Sequence, residues 1–324
     1  MLSSLDLYDG RAISNGLIVP AAAGYLKDES RIESDATLAI TAAAATIRAR
    51  QVEAAVVVAI HMPEIEQGLT DDSGRLRAFT DQISSLTFDA VHGRPIGMSS
   101  TIALSMQAAH AVESGIVSRD DLARRAAQDI SAGADSAWSN RTSAVTAEDV
   151  VAADAVSSHL TELMLPGEGA GVVAMVLASE PRIRRARSIH GWLSGWGVAS
   201  SPDMSVPAWL DDPGASTRVA MKRAFDQSGI ESTEEFGIVD YTALTPAMAP
   251  YLEEALGIKA DDERINRSGG ALSSFPGVAS GALRVAKAFE SLAQSGHDRA
   301  LVHATDNLMG PVSAASSVLV LEKP

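Results

Sequence analysis

A chain of 324 residues, 46% hydrophobic and 21% charged, has enough apolar surface for a large core, as one domain or two fused halves. Its formal charge of −15 excludes nucleic acid as a partner, because phosphate binding needs clustered Lys and Arg. The absence of cysteine excludes disulfides, thiolate metal sites and cysteine nucleophiles together, and it fits a cytoplasmic protein.

In chain order, the start lacks a basic segment followed by a long apolar one, so no signal peptide is expected. No apolar run reaches the roughly 18 residues that span a bilayer. Residues 16–24 (GLIVPAAAG) read as a buried strand and turn. Residues 34–50 read as an Ala-rich helix capped by Ser34 or Asp35. The valine-rich run 52–60 reads as a strand covered on both sides. Strand, helix, strand in this order predicts an α/β fold with a parallel sheet.

The stretch from His61 to about Leu165 differs in character. It has polar loops and two amphipathic helices, at 101–114 and 118–132, the second opened by Ser118-Arg-Asp-Asp121. It reads as helical decoration or as a lid that shapes a substrate channel. Residues 169–179 form another buried strand. The basic run Arg182-Ile-Arg-Arg-Ala-Arg187 reads as a solvated turn between two halves, with a phosphate anchor as the sharper alternative.

The second half then predicts a strand at 189–198, a helix at 216–227, a short strand at 237–241 and a helix at 247–256. A Gly-rich loop, Asn266-Arg-Ser-Gly-Gly-Ala-Leu-Ser-Ser-Phe-Pro-Gly-Val-Ala-Ser-Gly281, feeds a helix to about 295. Strands at 300–304 and 317–321 close the chain. The halves share an order of elements, without an internal repeat in the letters. No histidine pair with acidic partners has metal-ligand spacing, so no metal is expected.

Four segments together resemble thiolases, most closely the branch of the sterol carrier protein x thiolase and the steroid side-chain retro-aldolases. They are residues 31–59, Val117-Ser-Arg-Asp-Asp-Leu-Ala123, Val145-Thr-Ala-Glu-Asp-Val150 through Gly167-Glu-Gly-Ala-Gly171, and the loop from Asn266. The resemblance implies a five-layered α/β/α/β/α fold. It divides the chain into halves at 1–186 and 187–324, with a loop domain over about 62–165 inside the first. It also implies a dimer and a site for coenzyme A thioesters, with no covalently bound cofactor.

Carried over position by position, the resemblance highlights losses. The nucleophilic cysteine falls at about Glu33. The histidine of the family's Gly-His-Pro motif falls at Phe275. The C-terminal cysteine motif falls near Ala304, beside His303, and keeps only Gly310. The second-half histidine motif falls at Tyr241-Thr-Ala-Leu-Thr-Pro246, where the retro-aldolase relatives have a tyrosine.

A Claisen condensation needs a thiolate and a second base, and neither is present. A retro-aldol cleavage needs one base and dipoles for the enolate. Tyr241 is the candidate base, with His303 and His92 as helpers and backbone N–H groups at Gly270 or Gly310 facing the oxyanion. Plainer readings stand beside these. Tyr241 reads as a packed aromatic, Glu33 as an acid at a helix start, and His303 as a core histidine. Asn266, with Gly269 and Gly270, either braces the Gly-rich loop or approaches coenzyme A.

Two expectations follow. One is a cysteine-free thiolase-like subunit of an acyl-CoA or acyl-carrier processing complex. It would be homo- or hetero-oligomeric, with a thiolase or ketosynthase subunit as partner. The other is a C–C lyase acting on a β-hydroxyacyl-CoA through Tyr241, partnered by a small zinc-ribbon OB-fold protein.

Overall fold

The computed structural model describes residues 1–6, 14–63, 73–200, 208–260, 262–306 and 315–324. The first sheet has strands β1 (Leu2–Ser3), β2 (Arg31–Ile32), β3 (Ala54–His61) and β4 (Gly171–Ala178), ordered β2-β1-β3-β4. β1, β2 and β3 run parallel, and β4 pairs antiparallel with β3 from Ala54↔Ala178 to His61↔Gly171. The second sheet has β5 (Trp192–Ser200), β6 (Ile238–Tyr241), β7 (Arg299–Thr305) and β8 (Ala315–Glu322), ordered β5-β8-β7-β6. Here β6 and β7 are parallel, and β8 is antiparallel to both β7 and β5.

Two helices form the middle layer: α2 (Ala36–Arg48) and α9 (Ser280–Gln294). Asp35 caps α2 by accepting from the Thr37 N–H, satisfying one of the donors a helix start leaves open. Ala36, Ala39, Ile40 and Ala43 of α2 share one core with Ala282, Val285, Ala288 and Leu292 of α9. Val57 and Ala59 close that core from the first sheet, and Val302, Leu319 and Leu321 from the second. The alanines let helices and sheets approach closely, while full burial of Ile40 or Leu292 contributes about 2 kcal/mol each.

Outer layers complete the stack. α1 (Ser14–Ala21) lays Ile18 against Leu2, Val58 and Ile60 of the first sheet. α7 (Ala215–Ser228) buries Ala220 and Ala224 against Val318 and Val320 of the second. The halves match in pattern: a middle helix feeds a strand (α2 into β3, α9 into β7) that turns into an antiparallel neighbour. The architecture is the five-layered α/β/α/β/α fold.

Between β3 and β4 lie α3 (Ser73–Ser85), α4 (Ser100–Glu113), α5 (Arg119–Gly133) and α6 (Ala147–Ala152). Capping boxes at Ser118/Asp121 and Thr146/Asp149 start α5 and α6, as their sequences dictate. This segment has a core of its own, including Leu122, Ala126, Ile130 and Leu160, which Ala247 and Leu272 from much later in the chain enter. α8 (Ala249–Leu256) packs Tyr251 against the same core.

Three sequence expectations need correction. Residues 16–24 are helical in their first part rather than a strand, because a short apolar run has no period that separates strand from buried helix. Both sheets are mixed rather than parallel. β4 alternates instead of being buried throughout: Val172 is 54% and Val176 is 71% exposed, and Val56 opposite Val176 is 41% exposed. The basic run 182–187 is exposed at Arg182, Arg184, Arg185 and Arg187, in the connection from β4 to β5.

Candidate functional site

The carboxyl ends of the parallel strands meet around the start of α2. Such ends are where open α/β sheets place ligands. Ser4 follows β1, Ser34 and Asp35 follow β2, His61 closes β3, and Asp306 follows β7. The Ser34 hydroxyl donates to Asp306 Oδ2 at 2.6 Å, which ties the two sheets together at this point. The Ser3 hydroxyl donates to the Ser34 carbonyl at 2.6 Å.

Asp35 is buried and accepts three hydrogen bonds. Its Oδ1 takes the Thr37 N–H at 2.9 Å and the Thr37 hydroxyl at 2.7 Å, and its Oδ2 takes the Gly281 N–H at 2.9 Å. One carboxylate therefore caps α2 and holds the first turn of α9. Burial raises its pKa to about 6, against the pull of those hydrogen bonds and of Arg284. Burial, with the charge of Asp35, raises Asp306 to about 7, opposed by the Ser34 hydrogen bond. His61 is held near 4 by burial, hence neutral, and its ring lies against Gly277. The Ser280 hydroxyl is buried at the head of α9 with no hydrogen-bond partner among the described residues.

This cluster carries two carboxyls that titrate close to neutrality, several serine hydroxyls and a neutral imidazole. It can take up or release a proton, and it offers no thiolate. Sequence reasoning read Ser34 and Asp35 only as caps and passed over His61, Ser280 and Asp306. A polar residue within two positions of the end of a predicted strand was the available signal for His61 and Asp306.

The sequence-predicted residues are scattered. Glu33 is largely exposed and pairs with Arg31, two residues before the Asp35 cap that faces inward. His92 is 87% exposed at its side chain and pairs with Asp89 at 3.1 Å on the surface. His303 is fully buried in β7, with Nε2 3.1 Å from the Thr217 hydroxyl, and burial holds it neutral with a pKa near 3. Gly310 lies outside the described residues.

Tyr241 is 3% exposed, and its hydroxyl donates to Glu253 Oε1 at 2.9 Å. Glu253 is in turn clamped by Arg125 through two bonds of 2.6 and 2.9 Å. Burial first, and the Glu253 charge second, push the phenol well above its ordinary value. A phenol that already donates to a carboxylate, and holds its proton this firmly, is poorly placed to act as a base. Phe275 is likewise buried and packs in the same core as Tyr241, Leu244 and Val278.

The Gly-rich loop is explained by packing. Asn266 adopts φ +44°, accepts the Tyr241 N–H at 2.9 Å through Oδ1 and donates its own N–H to Val239. It thus extends the edge of the second sheet. Gly269 adopts φ +92°, and a Cβ there would come within 2.5 Å of the Gly133 Cα. Gly270 has φ +55° and would press on the Asn266 amide. The glycines let the loop touch the end of α5 backbone to backbone. Below them, the fully buried Arg284 donates to the Gly270 and Ser274 carbonyls and lies 3.5 Å from Asp240. Among the described residues, no group of three or more His, Cys, Asp or Glu side chains is arranged to hold a metal, and no helix is long and apolar enough to cross a membrane.

No protein-family model and no curated protein sequence matches the chain. Solved structures do. The dimeric peroxisomal thiolase of Saccharomyces cerevisiae superposes with a TM-score of 0.73 at 15% identity, over 100% of this chain and 83% of that one. Human mitochondrial 3-ketoacyl-CoA thiolase, solved in complex with CoA, superposes with a TM-score of 0.69 at 15% identity, over 100% of this chain and 85% of that one. The fold is therefore thiolase-like.

Proposed function

We propose that the chain is a cysteine-free thiolase-like subunit of an acyl-CoA or acyl-carrier processing complex and does not itself catalyse condensation. The observation that carries this is the filling of one chemical position together with the absence of any thiol. Phe275, at the place of the family's Gly-His-Pro histidine, is 4% exposed and packed on Leu244 and Val278, and the chain holds no thiol. Coenzyme A thioesters are the proposed ligand, an inference from the fold and from the human neighbour solved with CoA. A cytoplasmic homo- or hetero-oligomer with a thiolase or ketosynthase subunit completes the proposal. The halves at 1–186 and 187–324 are its proposed units.

The test is purification from the source cell with mass spectrometry of the co-purifying chains, followed by acetoacetyl-CoA thiolysis by the isolated subunit. A cysteine-bearing partner and no thiolysis by this chain alone are expected. Turnover by this chain alone overturns the proposal.

A C–C lyase reading has an observation in its favour, though not at Tyr241. A carboxyl with a pKa near 7, such as Asp306, is matched to removing the proton of a β-hydroxyl near neutral pH. The partner in that case is a small zinc-ribbon OB-fold protein. Retro-aldol cleavage lost in Asp306→Asn and kept in Tyr241→Phe supports this reading. Loss in Tyr241→Phe alone returns the chemistry to the tyrosine.

A further inference from the structure

A second cluster lies apart from the strand-end site, between β6, the last strand of the second sheet, and the later turns of α9. It surrounds a cleft of about 190 Å³, lined by Asp240, Arg267, Ser268, Lys287, Ser291 and Gln294 among others. This is room for several waters, or for a small polyatomic ion with part of its hydration.

The charges in it do not balance. Lys287 is 4% exposed, so its ammonium is held inside the molecule. It donates to the Ser268 carbonyl at 3.2 Å, which uses one of its three donors. Asp240 attracts Lys287 through space but forms no ion pair with it. One Asp240 oxygen accepts from the Ser268 hydroxyl at 2.8 Å, and the other faces the buried Arg284 at 3.5 Å. Arg267 spends its Nε on the Glu263 carbonyl at 2.8 Å and forms no ion pair among the described residues. Two cations, Lys287 and Arg267, therefore border the cleft, and the acids that act on Lys287, Asp240 and Glu290, form no ion pair with it among the described residues.

A buried cation without a counter-ion is costly, so it either sheds its proton or recruits an anion. We infer that this cleft binds a small oxyanion of phosphate size, held by Lys287 and Arg267, with the Ser291 hydroxyl and the Gln294 amide as further donors. Burial, with the neighbouring Arg284, lowers Lys287 to about 8, while Asp240 and Glu290 oppose the shift. A bound anion reverses that shift. Binding above pH 8 then draws one proton from solution onto the Lys287 amine, with no covalent change.

The experiment is calorimetric titration of the intact chain with inorganic phosphate, against chloride of matched ionic strength. Buffers of different ionisation enthalpy report the proton uptake. Arg267 is exposed, so Arg267→Ala tests the site without disturbing the core. Ser291→Leu fills the cleft from the helix surface and gives a second variant. Expected are one saturable site with a Kd on the order of 1 mM, proton uptake at pH 8.5, and affinity at least about fivefold weaker in both variants. That loss corresponds to about 1 kcal/mol. No saturable binding up to about 50 mM, or binding that both variants leave unchanged, overturns the inference; the latter identifies general surface attraction.

Discussion

Asp306→Asn is the sharpest probe of the strand-end cluster. In the folded protein the Asp306 carboxyl is raised from 3.8 to about 7, first by burial and then by the charge of Asp35. The folded state thus binds this proton more tightly than the unfolded chain between about pH 4 and pH 7. Stability is highest below that window, is lost as pH rises through it, and carries the full penalty above it. A tenfold change in proton affinity is about 1.4 kcal/mol, so the move from 3.8 to about 7 sets a ceiling near 4 kcal/mol at pH 8. Asparagine keeps the shape and an oxygen to accept from the Ser34 hydroxyl, which donates to Asp306 Oδ2 at 2.6 Å. It removes the charge at the cost of a weaker acceptor. Net stabilisation of about 2 kcal/mol is expected at pH 8, and a change near zero at pH 5, where only part of the penalty has built up and the weaker asparagine acceptor offsets it. Urea denaturation of both proteins at the two pH values measures it. Asp129 and Glu168, each raised to about 7 by burial, give the wild type a further slope of the same sign. Only the difference between the two proteins isolates Asp306. A variant that loses stability equally at both pH values refutes the argument.

Gly133→Ala places a methyl 2.0 Å from the Ser273 hydroxyl and 3.1 Å from the Gly269 Cα. Thermal unfolding is expected to show a loss of about 1–3 kcal/mol from overpacking. Arg284→Met leaves Asp240 buried without its cation. A loss of about 3–5 kcal/mol is expected, much of it recovered by pairing the change with Asp240→Asn; equal losses in single and double variants contradict the pairing. Tyr241→Phe removes one bond to Glu253, which keeps both bonds from Arg125. It is expected to cost about 1 kcal/mol by denaturant titration. His303, held neutral near pKa 3, is expected to show no imidazole titration by NMR between pH 5 and pH 8.

Much of the scaffold was legible in the sequence because it depends on local signals. Ser118 and Thr146 each precede an acid by three residues, and both start helices with the capping box that this spacing dictates. The Ala-rich helix capped at Asp35 and the strand of valines after it needed only cap chemistry and periodicity. The loss of thiolate chemistry was equally plain, since it follows from composition alone.

The site was less legible, because its members come from opposite ends of the chain. Ser34 and Asp306 are separated by 272 positions and meet only because two sheets direct their strand ends to one place. Asp35 was visible as a cap. That its second oxygen would hold the Gly281 N–H required the packing of α2 against α9. The same packing decided the glycines at 269 and 270. In sequence they resemble a loop shaped for a ligand, and in the fold they clear the way for the backbone of Gly133. Sequence by itself determined the elements, their caps and the chemistry that is excluded, because those depend on neighbours along the chain. The tertiary structure alone decided which acids come together, which tyrosine is locked to a carboxylate and which buried lysine is left without an ion pair. Desolvation and charge coupling depend on distance through space, and spacing along the chain does not encode it.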